Sequence, residues 1–369
     1  MATRTNRQWT LQSRPIDKVD SSQFQFQETA VQEPGEGEIL VKNLWLGIDP
    51  AARGWLNDVE SYVPPVQIGE VMRGETVAEV IASKHSDIAV GTKLCGMFGW
   101  QDYAVIPAIS EDVWEQYQVV PEGIPPQHAL GALGSPGLTA YVGLMEIGDL
   151  TEGMNVLVSG AAGAVGSTAV QIARLKGAGR VVGIAGGERK CRWLLEEAKL
   201  HGAIDYKAGQ LEKRLQEEFP AGIDLFFDNV SGPILDAALA NMAPYGRVVL
   251  CGSVSAYDTA ELPPGPANLR FATPNRITLR GFIFYDHMER ALEGQQALME
   301  WTASGELIVA ENIQEGLENA PAALSGLFEG QNIGKQLLKL DSSRSSMPRN
   351  TRNQSLSVRS RPGEGNNRT

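Results

Sequence analysis

The chain reads as an α/β protein, with a β-rich, barrel-like first domain and a doubly wound parallel-sheet domain behind it. Three observations predict this. A glycine-rich turn joins an apolar run to an amphipathic stretch in Val156-Leu-Val-Ser-Gly-Ala-Ala-Gly-Ala-Val-Gly-Ser167. Strand-like and helix-like segments alternate from residue 127 to 305. Before them, short alternating apolar segments are cut by Pro and Gly.

Taken in order, Trp9 and Leu11 alternate with polar residues as in a first strand. Glu38-Ile-Leu-Val-Lys-Asn-Leu-Trp45, Thr76-Val-Ala-Glu-Val-Ile-Ala82 and Asp102-Tyr-Ala-Val-Ile106 read as further strands, punctuated at Pro34-Gly35, Pro64-Pro65 and Gly91. Residues 1–126 are thus expected to form the β-rich domain. In 127–305 the strand candidates are 155–160, 180–185, 223–227, 246–251 and 278–284, the pattern of a parallel sheet covered on both faces. Residues 306–340 carry a strand signal, an acidic helix and Lys335-Gln-Leu-Leu-Lys-Leu340, and are expected to return to the first domain. Residues 341–369 are rich in Ser, Arg and Asn and poor in apolar side chains, so they are expected to be a disordered tail.

The turn carries the first functional expectation. Glycine at 163 lets backbone approach a pyrophosphate, and glycine at 166 lets the helix pack close to the strand; Ala161 stands where such fingerprints begin with Gly. The helix N-terminus presents unpaired N–H groups to an anion. The next strand, Arg180-Val-Val-Gly-Ile-Ala185, ends in Gly186-Gly187 and is followed by Glu188, Arg189, Lys190 and Arg192. An acid at the strand tip would bind a ribose 2′-hydroxyl, whereas cations suit a 2′-phosphate, so NADPH is favoured over NADH.

Composition bounds the rest. The 369 residues suffice for two cored domains. A net charge of −12 disfavours a general nucleic-acid binder, and no run is long and apolar enough for a membrane span. No secretory signal is read at the start. Three scattered cysteines without a CxxC, and four histidines without partners at ligand spacing, suggest a reducing, cytoplasmic setting and no metal site.

Several motifs in one order resemble the zinc-independent branch of the medium-chain dehydrogenase/reductases, and within it the prostaglandin reductase / leukotriene B4 12-hydroxydehydrogenase family with its curcumin reductase and alkenal double-bond reductase relatives. They are Gly47-Ile-Asp-Pro50 with Arg53-Gly54, Ser61-Tyr-Val-Pro-Pro65, Gln67-Ile-Gly-Glu-Val-Met72, Pro136-Gly-Leu-Thr-Ala-Tyr141, the glycine turn, Phe227-Asp-Asn-Val230, Cys251-Gly-Ser-Val-Ser-Ala-Tyr257, Leu262-Pro-Pro-Gly265 and Gly330-Gln-Asn-Ile-Gly-Lys335. The resemblance spans residues 8–340. It implies a GroES-like β domain with a Rossmann domain, a homodimer, and NADPH-dependent reduction of the C=C bond of α,β-unsaturated ketones or aldehydes.

It also implies site residues. Gly163, Ala164, Val165 and Gly166 would hold the pyrophosphate; Lys190 and Tyr206 would meet the 2′-phosphate end. Asn229 lies at a strand tip. Cys251, Gly252, Ser253 and Tyr257, with Phe282, Ile283 and Phe284, would line the nicotinamide half, and Asn332 would reach over from the returning segment.

Hydride arriving at the β-carbon of an enone puts negative charge on the carbonyl oxygen, which needs a donor. The segment Gly69-Glu-Val-Met-Arg-Gly-Glu75 offers no His where zinc-dependent relatives have a metal ligand, so a hydroxyl is expected to serve. Tyr257 is the first candidate, either on the enolate oxygen or on the nicotinamide ribose. Tyr62 either meets the substrate or belongs to the β-domain core, and Arg53 reads as structural. Two departures from the family pattern stand near the pocket: Ala51 and Ala52 replace aromatic and Met residues, and Ser135 replaces Met. A zeta-crystallin-type NADPH quinone reductase and a non-catalytic NADPH-binding protein remain as alternatives.

Overall fold

The computed structural model describes residues 4–261 and 263–340; the tail expected at 341–369 lies outside them. Its six-stranded parallel sheet has the order Gly202–Asp205, Arg180–Ala185, Asn155–Val158, Ile223–Asp228, Met242–Leu250, Thr278–Gly281. Numbered along the chain this is 3-2-1-4-5-6, the doubly wound order whose switch point falls between the first and fourth strands. Val156, Leu157 and Val158, like Leu225, Phe226 and Phe227, are buried on both faces, because helices cover each side.

The strand expected at 278–284 stops at Gly281, and Phe284–His287 forms a short 3₁₀ turn. The expected strand at 155–160 likewise stops at Val158, where Gly160 turns the chain at φ +56°. Gly202–Asp205 is a strand that the residue pattern left unassigned: four residues at the sheet edge give too short a run for alternation to show.

The first domain is a seven-stranded sheet plus a two-stranded one, Thr5–Leu11 paired with Phe24–Ala30. Its longest strand, Glu38–Ile48, pairs antiparallel with Thr76–Ser83, Tyr103–Pro107 and Lys335–Lys339. The last of these, with its parallel neighbour Glu311–Glu315, is the returning segment. Its helix, Ala320–Phe328, is apolar and not acidic as expected: Ala320, Ala323 and Leu324 fill the core beside Leu46, Ile48 and Leu338, while Glu315 and Glu318 stay outside the helix.

Candidate active site

The glycine turn lies at the sheet's switch point. Helix Ala164–Leu175 starts there with Gly163 as N-cap and no side-chain cap; its first internal bond runs from Ser167 N–H to Gly163 O. The amides of residues 164–166 are therefore directed off the helix end, where no side chain competes with a ligand. Glycine is sterically required at 166, since a Cβ there would stand 2.2 Å from Gly160 O. Ala161 is accommodated at the departure from the fingerprint because Gly183 lies opposite: a Cβ on Gly183 would stand 2.8 Å from that of Ala161. This cradle at a helix N-terminus, with glycine at 160, 163 and 166, fits a dinucleotide pyrophosphate.

At the second strand's tip, Lys190 is half-buried against Gly330. Desolvation, then Lys207 and Arg189, hold its ammonium below the usual lysine range. Such a cation cluster is relieved by a bound dianion. Lys207, on which sequence reasoning placed no role, sits with Tyr206 against Gly186. Arg192, by contrast, pairs with Glu188 one turn away, which removes both from the cluster. Asp205 accepts from the Gly187 and Lys207 amides at 2.9 and 3.0 Å.

Across the switch point, Asp228 is fully buried and accepts from Ser159 Oγ at 2.7 Å and from the Val230 and Ser231 amides. Burial raises its carboxyl against those bonds. Asn229 clips onto the turn from both ends, its N–H donating to Ser159 Oγ and its Nδ2 to Ser159 O, each at 2.8 Å. Cys251 and Gly252 hang from Asp228 O by their amides. Burial pushes the Cys251 thiol up to about 12, so it lines the site as an uncharged group. Asn332 lies 8% exposed and donates to Gly334 O at 2.7 Å, while Gly334 N–H donates to Ala162 O at 2.8 Å. The returning segment is thereby hooked over the turn. Phe282 and Phe284 pack against the core beneath, Phe282 beside Gly143, and Ile283 is extended between them.

Tyr257 ends a 3₁₀ turn, Val254–Ala256. Its hydroxyl accepts from Ser253 N–H at 3.2 Å and has no acceptor for its own proton among the described residues. Tyr62 is 53% exposed, outside the β-domain core that was its other reading. Desolvation of its hydroxyl raises it above the ordinary phenol range, with Tyr257, Asp49 and Cys251 adding to the rise. Trp114 links Tyr62 (6.3 Å between ring centroids) to Tyr285 (5.5 Å), which leans on Phe284 (4.0 Å). Aromatic rings from both domains thus wall one cleft.

Sequence reasoning missed what lies at the bottom of that cleft. Strand Glu38–Ile48 ends just before Asp49, Thr76–Ser83 begins just after Glu75, and Lys335 opens the third neighbouring strand. The pairing therefore brings all three to one end of the sheet. Lys335 is 1% exposed, and its Nζ lies 2.5 Å from Asp49 Oδ1. Ser135, first residue of helix Ser135–Val142, donates to Glu75 Oε1 at 2.8 Å. Burial raises the Glu75 carboxyl to about 7, Lys335 opposing and Asp49 adding to the rise. Of the departures from the family pattern, Ser135 puts a hydroxyl in the cleft, whereas Ala52 is a core residue and Ala51 packs against the same cluster. Among the described residues no group of three or more His, Cys, Asp or Glu is arranged to hold a metal ion.

Comparison with known proteins agrees with this architecture. Residues 7–113 match the family model described as N-terminal domain of oxidoreductase, and 164–301 the one described as zinc-binding dehydrogenase. The chain is 40% identical over 343 residues to the NADPH-dependent curcumin reductase of Escherichia coli (strain K12), covering 91% of this chain and 97% of that one. It is 36% identical over 337 residues to prostaglandin reductase 1 of Bos taurus, covering 90% and 98%. The solved structure of CurA from Vibrio vulnificus in complex with NADPH superposes with a TM-score of 0.85 at 38% identity, over 91% of this chain and all of that one.

Proposed function

The chain belongs to the zinc-independent medium-chain dehydrogenase/reductase family, and from that premise we propose that it reduces the C=C bond of α,β-unsaturated ketones or aldehydes with NADPH. One observation carries the reading. Two tyrosine hydroxyls, Tyr257 and Tyr62, lie near enough to influence each other, and that of Tyr257 stands with Asn229 O beside Gly252 at the strand tip of the switch point. NADPH, when bound, supplies a hydride. The chain's own residues then divide the work. The cradle at 163–166 takes the pyrophosphate on its amides, and Lys190 with Tyr206 receives the 2′-phosphate. Cys251, Gly252 and Ser253 face Phe282–Phe284 around the nicotinamide, with Asn332 closing over it. Tyr257, held by Ser253, donates its free proton toward the acceptor's carbonyl oxygen, where charge develops as the β-carbon is attacked. Tyr62 and Trp114 wall off the acceptor from water.

Among the described residues the edge strand Thr278–Gly281 is paired on one side only. We assign it to a homodimer in which two such edges meet; a light-scattering mass of twice the chain would support that assembly, and a mass of one chain would overturn it.

The reading is tested by following NADPH oxidation with an enone, a quinone and buffer alone. Turnover with the enone supports it. Turnover with the quinone only would favour the quinone-reductase alternative, and oxidation with neither a non-catalytic role.

A further inference from the structure

Reduction of an enone consumes a proton as well as a hydride, and Tyr257 is committed to the oxygen. On the reading above, in which Tyr257 only hydrogen-bonds the oxygen, we propose that the Tyr285 hydroxyl delivers that one proton to the α-carbon and that Glu75 refills it through Ser135.

Three observations on the cleft floor support this path. The Ser135 hydroxyl donates to Glu75 Oε1 at 2.8 Å, and the Tyr285 phenol lies near enough to feel both residues. Tyr285 directly follows the segment assigned to the nicotinamide, and its ring shares the aromatic wall with Trp114 and Tyr62. Its phenol is raised, first by burial and then by Glu75, so it stays a neutral donor. The charges decide which carboxyl exchanges a proton. Asp49 lies on the Lys335 ammonium at 2.5 Å, whereas Glu75 has Ser135 as its hydrogen-bond partner. The groups facing Glu75 are Lys335, Asp49, Ser135, Cys95 and Tyr285; burial drives the Cys95 thiol well above its ordinary range, so it adds no charge. Glu75 is the group poised near neutrality, where a general acid is most effective.

The step balances. The enolate's C=C electron pair takes the Tyr285 proton and forms the new C–H bond. For the relay the Ser135 hydroxyl turns from Glu75 Oε1 to the phenolate, gives it a proton and accepts the one carried by the protonated Glu75 carboxyl, leaving a carboxylate that rebinds a proton from water before the next cycle. Tyr285 is then the catalytic residue, and Ser135 and Glu75 are positioning and supply residues.

The test reduces an α-methyl enone in D₂O with the full-length protein and its Glu75→Gln, Ser135→Ala and Tyr285→Phe variants. The wild type is expected to give one α-epimer and a kcat that falls as pH rises through about 7. Each variant is expected to lose about 100-fold in kcat at neutral pH, as for a removed general acid. Glu75→Gln also loses the alkaline limb, and all three scatter deuterium over both epimers at early times. In the protein without cofactor, pH-difference infrared spectra should show a carboxyl band with a midpoint near 7 that vanishes in Glu75→Gln. Folded variants that keep one epimer and the wild-type limb, or a band titrating in the ordinary carboxylate range, overturn the proposal. Should Glu75→Gln fail to fold, Ser135→Ala and Tyr285→Phe decide it. A wild type inert to every enone defeats the enone reading itself, and this proposal with it; wild-type turnover with unchanged variants defeats the proton path alone.

Discussion

Arg53 and Asp258 meet at 3.0 Å although 205 residues separate them, and their side chains are only 2% and 10% exposed. Arg53 is fixed in turn by Asn57 Oδ1 and Asp17 O at 2.8 Å, and Asp258 also accepts from Val19 N–H. Asp258 follows Tyr257 directly, so this pair clasps the loop carrying the candidate oxyanion donor to the β domain. The sequence reading of Arg53 as structural gains a location here: it anchors the residue that follows Tyr257.

Breaking that clasp leaves a charge buried without its partner. Arg53→Ala is expected to destabilise the protein by about 3–5 kcal/mol. Arg53→Lys should recover little, because one ammonium cannot serve three acceptors spread around a planar fork. Urea unfolding measures both, and a loss below about 1 kcal/mol in Arg53→Ala would show an exposed-type pair instead.

Removing the Tyr257 hydroxyl tests transition-state stabilisation. Tyr257→Phe should lower kcat about 10–100-fold while leaving NADPH affinity near that of the wild type. Steady-state kinetics with calorimetric titration of NADPH separates the two, and unchanged turnover removes Tyr257 from the mechanism.

The cation cluster at the second strand's tip is expected to set coenzyme preference. Lys190→Ala is expected to weaken NADPH binding about 10–100-fold, from the ~1.5–3 kcal/mol of a charge-assisted bond, and to leave NADH binding unaltered. Lys207→Ala should act in the same direction more weakly, since Lys207 is exposed. Equal losses for both coenzymes would place the phosphate elsewhere.

The Asp49 carboxylate raises Glu75, and Asp49 also holds the Lys335 ammonium. Asp49→Asn removes the repulsion and frees the cation for Glu75, and both changes favour the Glu75 carboxylate. The alkaline limb of kcat should therefore move to lower pH than in the wild type. A limb that stays in place would separate Glu75 from the pH dependence.

The nucleotide half was legible in the sequence because its determinants are local. Gly160 to Gly166, the strand before them and the helix after them lie within 21 residues of one another; the left-handed turn at Gly160 and the close approach of Gly166 to Gly160 O are both local. Even the departure at Ala161 has a local answer in Gly183 on the neighbouring strand. Strand ends were less legible: Phe282 and Phe284 look like strand residues, yet they leave the sheet at Gly281 to pack on the core. The cleft floor was illegible for a different reason. Asp49, Glu75, Ser135 and Lys335 each follow or precede an apolar segment as an ordinary polar end residue. Only the register that sets Gln336 opposite Ile48, and Thr76 opposite Leu46, brings three of them together. Ser135 was noticed as a missing Met, and its meaning came from the carboxyl it faces.

The proposed reaction passes a hydride from NADPH to an alkene carbon. Its most direct measurement is the product of an enone reduced with NADPH deuterated at the transferring position of the nicotinamide. A saturated ketone with deuterium on the β-carbon is expected. Deuterium on the carbonyl carbon, or a product without label, would contradict it.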